Sequence, residues 1–188
     1  GAGCLAGAGL LPEQFFRSYL VGHLFWLAIA LGALGLAMLN HLTHGAWGIT
    51  VRRIFEAAAS TLPLLAVLFV PVVIGLASLY PWARPAEVAH DALLQEKAAY
   101  LNPAFFGLRA LLYFVIWGGL AGLASRWSNA QDKSGDPALF HRLRALSAVG
   151  LILFVLTVTF ASFDWLMSLD PHWFSSIYGV YFIGTTGL

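Results

Sequence analysis

The residues best equipped for chemistry gather in one short run, Phe163-Asp164-Trp165-Leu166-Met167-Ser168-Leu169-Asp170-Pro171-His172-Trp173, where one apolar segment stops and the next begins. Carboxylates and an imidazole can accept or pass protons, and charge is scarce everywhere else in the chain. Ionisable groups at membrane depth are expensive, so each one that lies there is a candidate for function. Asp164 ends its segment abruptly after Phe163 and has no local structural explanation. Arg109, about one turn inside another apolar segment, stands at the same level. Either its long stem lets the guanidinium reach the interface, or it is buried and pairs with Asp164. His23 sits inside an apolar segment, on a face with Tyr19, Trp26 and Leu27. A haem b would need a second axial ligand at matching depth. His41, His44, His90, His141 and His172 all fall at segment ends or in loops, so a hydrogen-bonded histidine lining a polar cleft is expected instead. Asp164, Arg109, His23 and His172 thus form a candidate outer polar cleft or proton exit. Asp170-Pro171 is expected to start the next helix, because Asp is a favoured N-cap and Pro suits the first helical position.

A second candidate cluster lies in Asn40-His41-Leu42-Thr43-His44-Gly45-Ala46-Trp47-Gly48 and the following Arg52-Arg53-Ile54-Phe55-Glu56. His41 and His44 are neighbours on one helical turn, but two histidines without a third ligand make no metal site, and none is expected. Arg52 and Glu56, four apart, can pair on a helix. Glu56, Arg52, His41 and His44 read either as an interfacial anchor or as the inner mouth of a proton path.

These residues need elements to hold them, and the composition says which. Of 188 residues 60% are hydrophobic and only 10% charged, with a mean hydropathy of +0.79. A soluble domain is about 25% charged, so lipid is the expected solvent and an all-α polytopic transmembrane bundle the expected fold, because lipid offers the backbone no hydrogen-bond partner. The net charge of +1 and the lack of a basic run argue against nucleic acid. The single Cys4 excludes an internal disulfide and a cysteine-built metal or iron–sulfur site. Four spans are drawn at 18–39, 57–82, 105–127 and 145–163, with partial spans at 1–11 and 175–188. The apolar ends, too short to cross roughly 30 Å of hydrocarbon, suggest an internal fragment of a longer polytopic subunit, forming a single membrane region over 1–188. Gly3 and Gly7 suit close helix packing better than a phosphate loop. Pro71 should kink the third span, as a packing feature or to open a cavity. Residues 86–94 read as a short surface helix that Asn102-Pro103 separates from the fourth span, and 129–137 as a polar turn without chemistry. Trp165, Trp173 and Tyr178 read as interfacial belt residues.

Loop charge sets the orientation. Arg52, Arg53, Arg126, Lys133, Arg142 and Arg144 lie on one side, and Arg17, Arg84 and Lys97 on the other. Lys and Arg concentrate in cytoplasmic loops, which places the Asp164 end outside.

The two runs quoted above, continued by Phe174-Ser175-Ser176-Ile177-Tyr178-Gly179, resemble the membrane subunits of bacterial alternative complex III, the F-type above all. Those quinone-binding-type subunits of a quinol:cytochrome c oxidoreductase are similar to the NrfD/polysulfide-reductase membrane-anchor family. The resemblance covers nearly the whole chain. It implies a multi-pass subunit of the bacterial inner membrane, in a respiratory complex that oxidises quinol and passes electrons to a cytochrome c or a terminal oxidase. The partners it implies are a second NrfD-like subunit, an iron–sulfur subunit and c-type cytochromes, which carry the haem c and iron–sulfur clusters. Quinol binding belongs more firmly to the second subunit, with assembly and proton movement supported by the F-type. No quinone ligand carries over residue by residue. A secondary transporter, with helices broken at mid-membrane, and a purely structural membrane anchor are the other classes compatible with the composition.

Overall fold

Apolar helices come first in the construction, and the signals that start and stop them are local. In the computed structural model, residues 12–43 and 47–187 are described. The expected partial span at 1–11 and the candidate His44 lie outside these residues. Of the described residues 86% are helical and none is in a strand. The helices are α1 (Pro12–Thr43), α2 (Trp47–Ala59), α3 (Leu62–Leu68), α4 (Val70–Ile74), α5 (Leu76–Leu79), α6 (Pro85–His90), α7 (Ala92–Lys97), α8 (Pro103–Ser134), α9 (Pro137–Trp165) and α10 (Tyr178–Thr186). Single 3-10 turns at Pro81–Ala83 and Met167–Leu169 join them.

Among the described residues four segments are long and apolar enough to cross a membrane: Pro12–Thr43, Thr50–Ile74, Pro103–Ser134 and Pro137–Leu169, with hydropathies of 2.0, 2.3, 1.7 and 2.3. Three of them extend beyond the expected spans into polar flanks, because capping chemistry and not hydropathy sets the ends, whereas Thr50–Ile74 begins before the expected 57–82 and stops short of its end. Asn102 accepts a hydrogen bond from the Phe105 amide at 2.8 Å and precedes Pro103 at the start of α8. Asp136 accepts from the Ala138 amide at 2.8 Å and precedes Pro137 at the start of α9. Both are N-cap side chains followed by proline at a first-turn position, where its missing N–H removes no bond. Gly135, at φ 64°, closes α8 in the left-handed conformation that glycine adopts without penalty. Residues 129–134, expected as a turn, therefore belong to α8.

The third segment is broken, as Pro71 foretells. Helix α3 stops at Leu68 and α4 runs only from Val70 to Ile74. The Val72 amide bonds Phe69 O at 2.9 Å and not the Leu68 carbonyl. That carbonyl instead accepts the Tyr19 hydroxyl at 2.7 Å, so a neighbouring helix satisfies a group that lipid could not. Past α5, the Arg84 guanidinium does the same for Ala77 O at 2.6 Å.

Helices α8 and α9 form an antiparallel hairpin against which α1 packs, and α2 to α5 lie against α1, with α2 and α3 also against α8. Leu27, Leu31, Leu34, Met38, Trp117, Val158 and Trp165 are fully buried between these helices. Helix α10 turns back onto α1 and α9. There a Cβ on Gly32 would stand 1.6 Å from the Thr186 carbonyl oxygen, so only glycine permits that approach. Outward-facing positions are as apolar as the core: Phe25, Val67, Ile74, Leu111, Val115 and Ile152 are all exposed. Such a surface is unsuited to water and suited to lipid or to a membrane partner.

Candidate functional site

The hairpin brings Arg109, near the start of α8, opposite Asp164, in the last turn of α9. The two pair side-on: Arg109 Nε donates to Asp164 Oδ2 at 2.8 Å and Nη2 to Oδ1 at 2.9 Å. Their side chains are 9% and 1% exposed, so the guanidinium is buried in the pair and does not snorkel. Tyr113, one turn beyond Arg109, donates its hydroxyl to Asp164 Oδ2 at 2.7 Å. Arg109 Nη1 donates to the Tyr100 carbonyl at 2.9 Å, and the guanidinium lies over the Tyr100 and Phe105 rings, 3.9 and 4.5 Å from their centroids. A bidentate arginine–carboxylate pair has the strongest geometry available to these two side chains, and here aromatic faces complete the seal around it.

Further bonds fix the end of α9. Ser168 donates its hydroxyl to the Asp164 carbonyl, and Tyr80 donates to the Trp165 carbonyl at 2.9 Å. Trp165, expected in the interfacial belt, is instead in the core, packed on Phe69 at 4.6 Å and Phe114 at 5.7 Å between ring centroids. The last turn of α9 rotates it inward beside Asp164, while Trp173 stays outside. Tyr100 marks the outer edge of the site. Burial first, and the Asp164 carboxylate second, push its hydroxyl up to about 12, so it is a neutral hydrogen-bonding group at physiological pH. Between Tyr100, Lys97, Phe163, Met167, Ser168, Pro171, Trp173 and Phe174 lies a pocket of about 270 Å³.

The other two outer candidates are not part of this cluster. His23 is buried in an aromatic box, its ring 6.5 Å from Tyr19, 5.4 Å from Phe69 and 6.5 Å from Phe114, and its Nε2 has no hydrogen-bond partner. The expected hydrogen-bonded histidine in a polar cleft is therefore corrected: the face of α1 that carries it meets aromatic residues of the broken third segment and α8. His172 is an exposed loop residue whose Nε2 lies 2.7 Å from Asp91 Oδ2. Asp91 splits the expected surface helix in two and caps α7 through the Leu93 and Leu94 amides. Partial burial pulls the Asp91 carboxyl upward, and bonds from His172 and from the Leu94 and Leu93 amides more than reverse this and hold it below its ordinary value. Asp170 is not a helix cap. It accepts from the His172 amide at 3.2 Å within a turn, and α10 begins only at Tyr178 with Ile177 before it. The side chain bonds two residues on, an Asx turn that competes with helix initiation at Asp-Pro.

At the arginine-rich end the expected pair of Arg52 and Glu56 is present at 3.8 Å, but a second arginine lies closer. Arg53, not Arg52, holds Glu56 most closely, with Nη1 2.6 Å from Oε2. Arg52 Nε is 3.8 Å from Oε1, which takes no hydrogen bond. Both arginines reach across to α8: Arg52 Nη2 donates to Asp132 at 2.6 Å, Arg53 also bonds Asp132, and Arg53 Nη1 reaches Asn129 at 2.8 Å. His41 is buried against α9 with Nδ1 3.2 Å from Ser147 Oγ. Tyr113, Tyr100, Arg53 and Asp132 are the participants that sequence reasoning missed. Tyr113 carried a usable signal, four residues after Arg109 on the same helix face.

No protein-family model matches the chain, and no relative is found among the curated proteins.

Proposed function

We propose that the chain is an integral membrane subunit of a bacterial respiratory complex that oxidises quinol and delivers electrons to a c-type cytochrome or a terminal oxidase, and that it supports proton movement and assembly there. Two things support this reading. One is the resemblance of the runs around His41 to Glu56 and Phe163 to Gly179 to the F-type membrane subunits of alternative complex III. The other, which carries the argument, is the buried cluster of Asp164, Arg109 and Tyr113 at the end of the bundle assigned to the outside by loop charge. Oxidation of a quinol releases protons at that side. In this reading Asp164, with Arg109 and Tyr113 on its oxygens, is the carboxylate on the path by which those protons leave. Tyr113 on the inner side and Tyr100 at the surface supply hydroxyls for that transfer. The pocket of about 270 Å³ next to Tyr100 is mostly apolar with Lys97 at its edge, chemistry suited to the flat ring of the quinol substrate. The iron–sulfur and haem c centres belong to partner subunits in this reading, and the membrane is the bacterial inner membrane.

The test is Asp164→Asn in the intact complex, reading quinol oxidation, proton release and assembly together. Slower oxidation with impaired proton release in an assembled complex is expected. All three unchanged would rule the proposal out. One observation favours a purely structural subunit instead: both Asp164 oxygens are engaged and the pair is sealed from solvent, as in a clamp. In that case variants of Asp164, Arg109 and Tyr113 would lose assembly in proportion to activity and never activity alone.

A further inference from the structure

Two cavities at the outer end share one wall. Beside the apolar pocket next to Tyr100 lies a larger one of about 590 Å³, lined by Glu87, His90, Asp91, Asp170 and His172 along one side. Pro171 lines both. The turn from Asp170 to Phe174 therefore stands between a cavity rich in carboxylates and imidazoles and one built mostly of rings and alkyl groups. Little backbone structure holds that turn. The Trp173 amide bonds Asp170 O at 3.1 Å, but from Phe174 to Ile177 no amide bonds a backbone carbonyl among the described residues. Phe174 is 81% exposed and so adds little packing. Two side chains fasten the turn, both from the loop that carries α6 and α7. Lys97 Nζ donates to Pro171 O at 2.7 Å, and Asp91 Oδ2 lies 2.7 Å from His172 Nε2. Lys97 makes no ion pair among the described residues, so the Pro171 carbonyl is its partner. A segment with few backbone bonds and few buried contacts opens locally at low cost.

We propose that residues 170–174 form a gate between the two cavities, latched by Lys97 and His172, whose opening joins the apolar pocket to the polar cavity outside it. The latches act on adjacent residues, Pro171 and His172, so releasing both frees the wall. The end of α9 stays in place meanwhile, because Ser168 and Tyr80 hold the Asp164 and Trp165 carbonyls independently of the turn. The closed gate keeps water in the outer cavity away from a ring bound in the pocket, and the open gate gives the pocket an aqueous exit. The identity of that ring rests on the quinol reading above; the gate itself does not.

The experiment uses the protein in its complex, in nanodiscs, with Cys4→Ser as background. Ser168, 4% exposed and lining the pocket, is changed to Cys, and its labelling by the charged reagent sulfonatoethyl methanethiosulfonate is timed by mass spectrometry of this chain. Slow labelling is expected with the latches intact, rising roughly tenfold when Lys97→Met and His172→Phe are added, since a hydrogen bond to a charged group is lost. Ala89→Cys, exposed on α6, marks the rate of an open site, and Ser128→Cys, buried at the opposite end, marks general loosening. An unchanged rate at 168 in the latch variants overturns the gate. So does a rate at 168 equal to that of Ala89→Cys while the latches are intact, or an equal quickening of Ser128→Cys. If Ser168→Cys does not assemble, Leu101→Cys, buried in the same pocket, is read by the same criteria. Decylubiquinol is expected to slow labelling at 168. Quickening by the latch variants without protection by decylubiquinol sustains the gate and removes the quinol from this pocket.

Discussion

At one end of the bundle Arg109 and Asp164 meet with side chains 9% and 1% exposed; at the other, Arg53 and Asp132 meet with side chains 43% and 41% exposed. The chemical pairing is the same and the setting is opposite. Removing one partner of a buried pair strands the other charge and costs about 3–5 kcal/mol. An exposed pair loses part of its attraction to water and contributes about 0–1 kcal/mol. The exposed pair can therefore be remade locally as its side chains move, whereas the buried one ties two helices to a single arrangement.

Five experiments would break or sharpen that contrast. Asp164→Ala should destabilise the protein by about 3–5 kcal/mol, seen as a lowered midpoint of thermal unfolding in detergent. The double replacement Arg109→Met with Asp164→Leu should cost much less than the two single changes together, because no charge is left unpaired. Tyr113→Phe keeps the pair but removes a hydrogen bond to a charged group, with an expected loss of about 1.5–3 kcal/mol in the same measurement. Asp132→Asn should stay within about 1 kcal/mol. A loss equal to that of Asp164→Ala would show that burial is not what separates the two ends. The smallest effect concerns the loop clasp between Asp91 and His172. The Asp91 carboxyl titrates below its ordinary value in the folded protein, so its contribution is fully present above about pH 4, the unfolded value. That contribution is lost as pH falls through the lower folded value. Hydrogen exchange in residues 84–102 should therefore quicken on acidification below that range.

The buried pair was legible in the sequence because two facts about it are one-dimensional. Hydropathy places Arg109 and Asp164 at the same depth, and antiparallel neighbours bring equal depths together. The exposed cluster was not legible in that way. Arg53 and Asp132 are far apart in the chain, and the composition of 129–137 reads as a turn, although the helix continues through Ser134 until Gly135 ends it. His23 shows a different limit. Helical spacing gives the face on which a residue lies, but what that face meets depends on the break near Pro71, which brings Phe69 against it. At Asp170-Pro171 two local signals compete, a helix start and an Asx turn, and the His172 amide decides for the turn. Trp165 was misplaced because one helical position separates an interfacial tryptophan from a core one.

The tight connection at Gly135 and Asp136 works as a measuring device. From it the chain counts about 26 residues back to Arg109 and about 28 forward to Asp164, roughly 39 and 42 Å of helix at 1.5 Å per residue, before the two charges meet. A one-residue insertion between Gly135 and either partner would turn that side chain by about 100° around its helix and leave both charges without their partner, while an insertion of the same size at 104 or 105 would leave the count intact. The pair thus inspects the length of each helix once the second has been threaded into the membrane. Length polymorphism in this hairpin should be confined to the stretches that the count does not include.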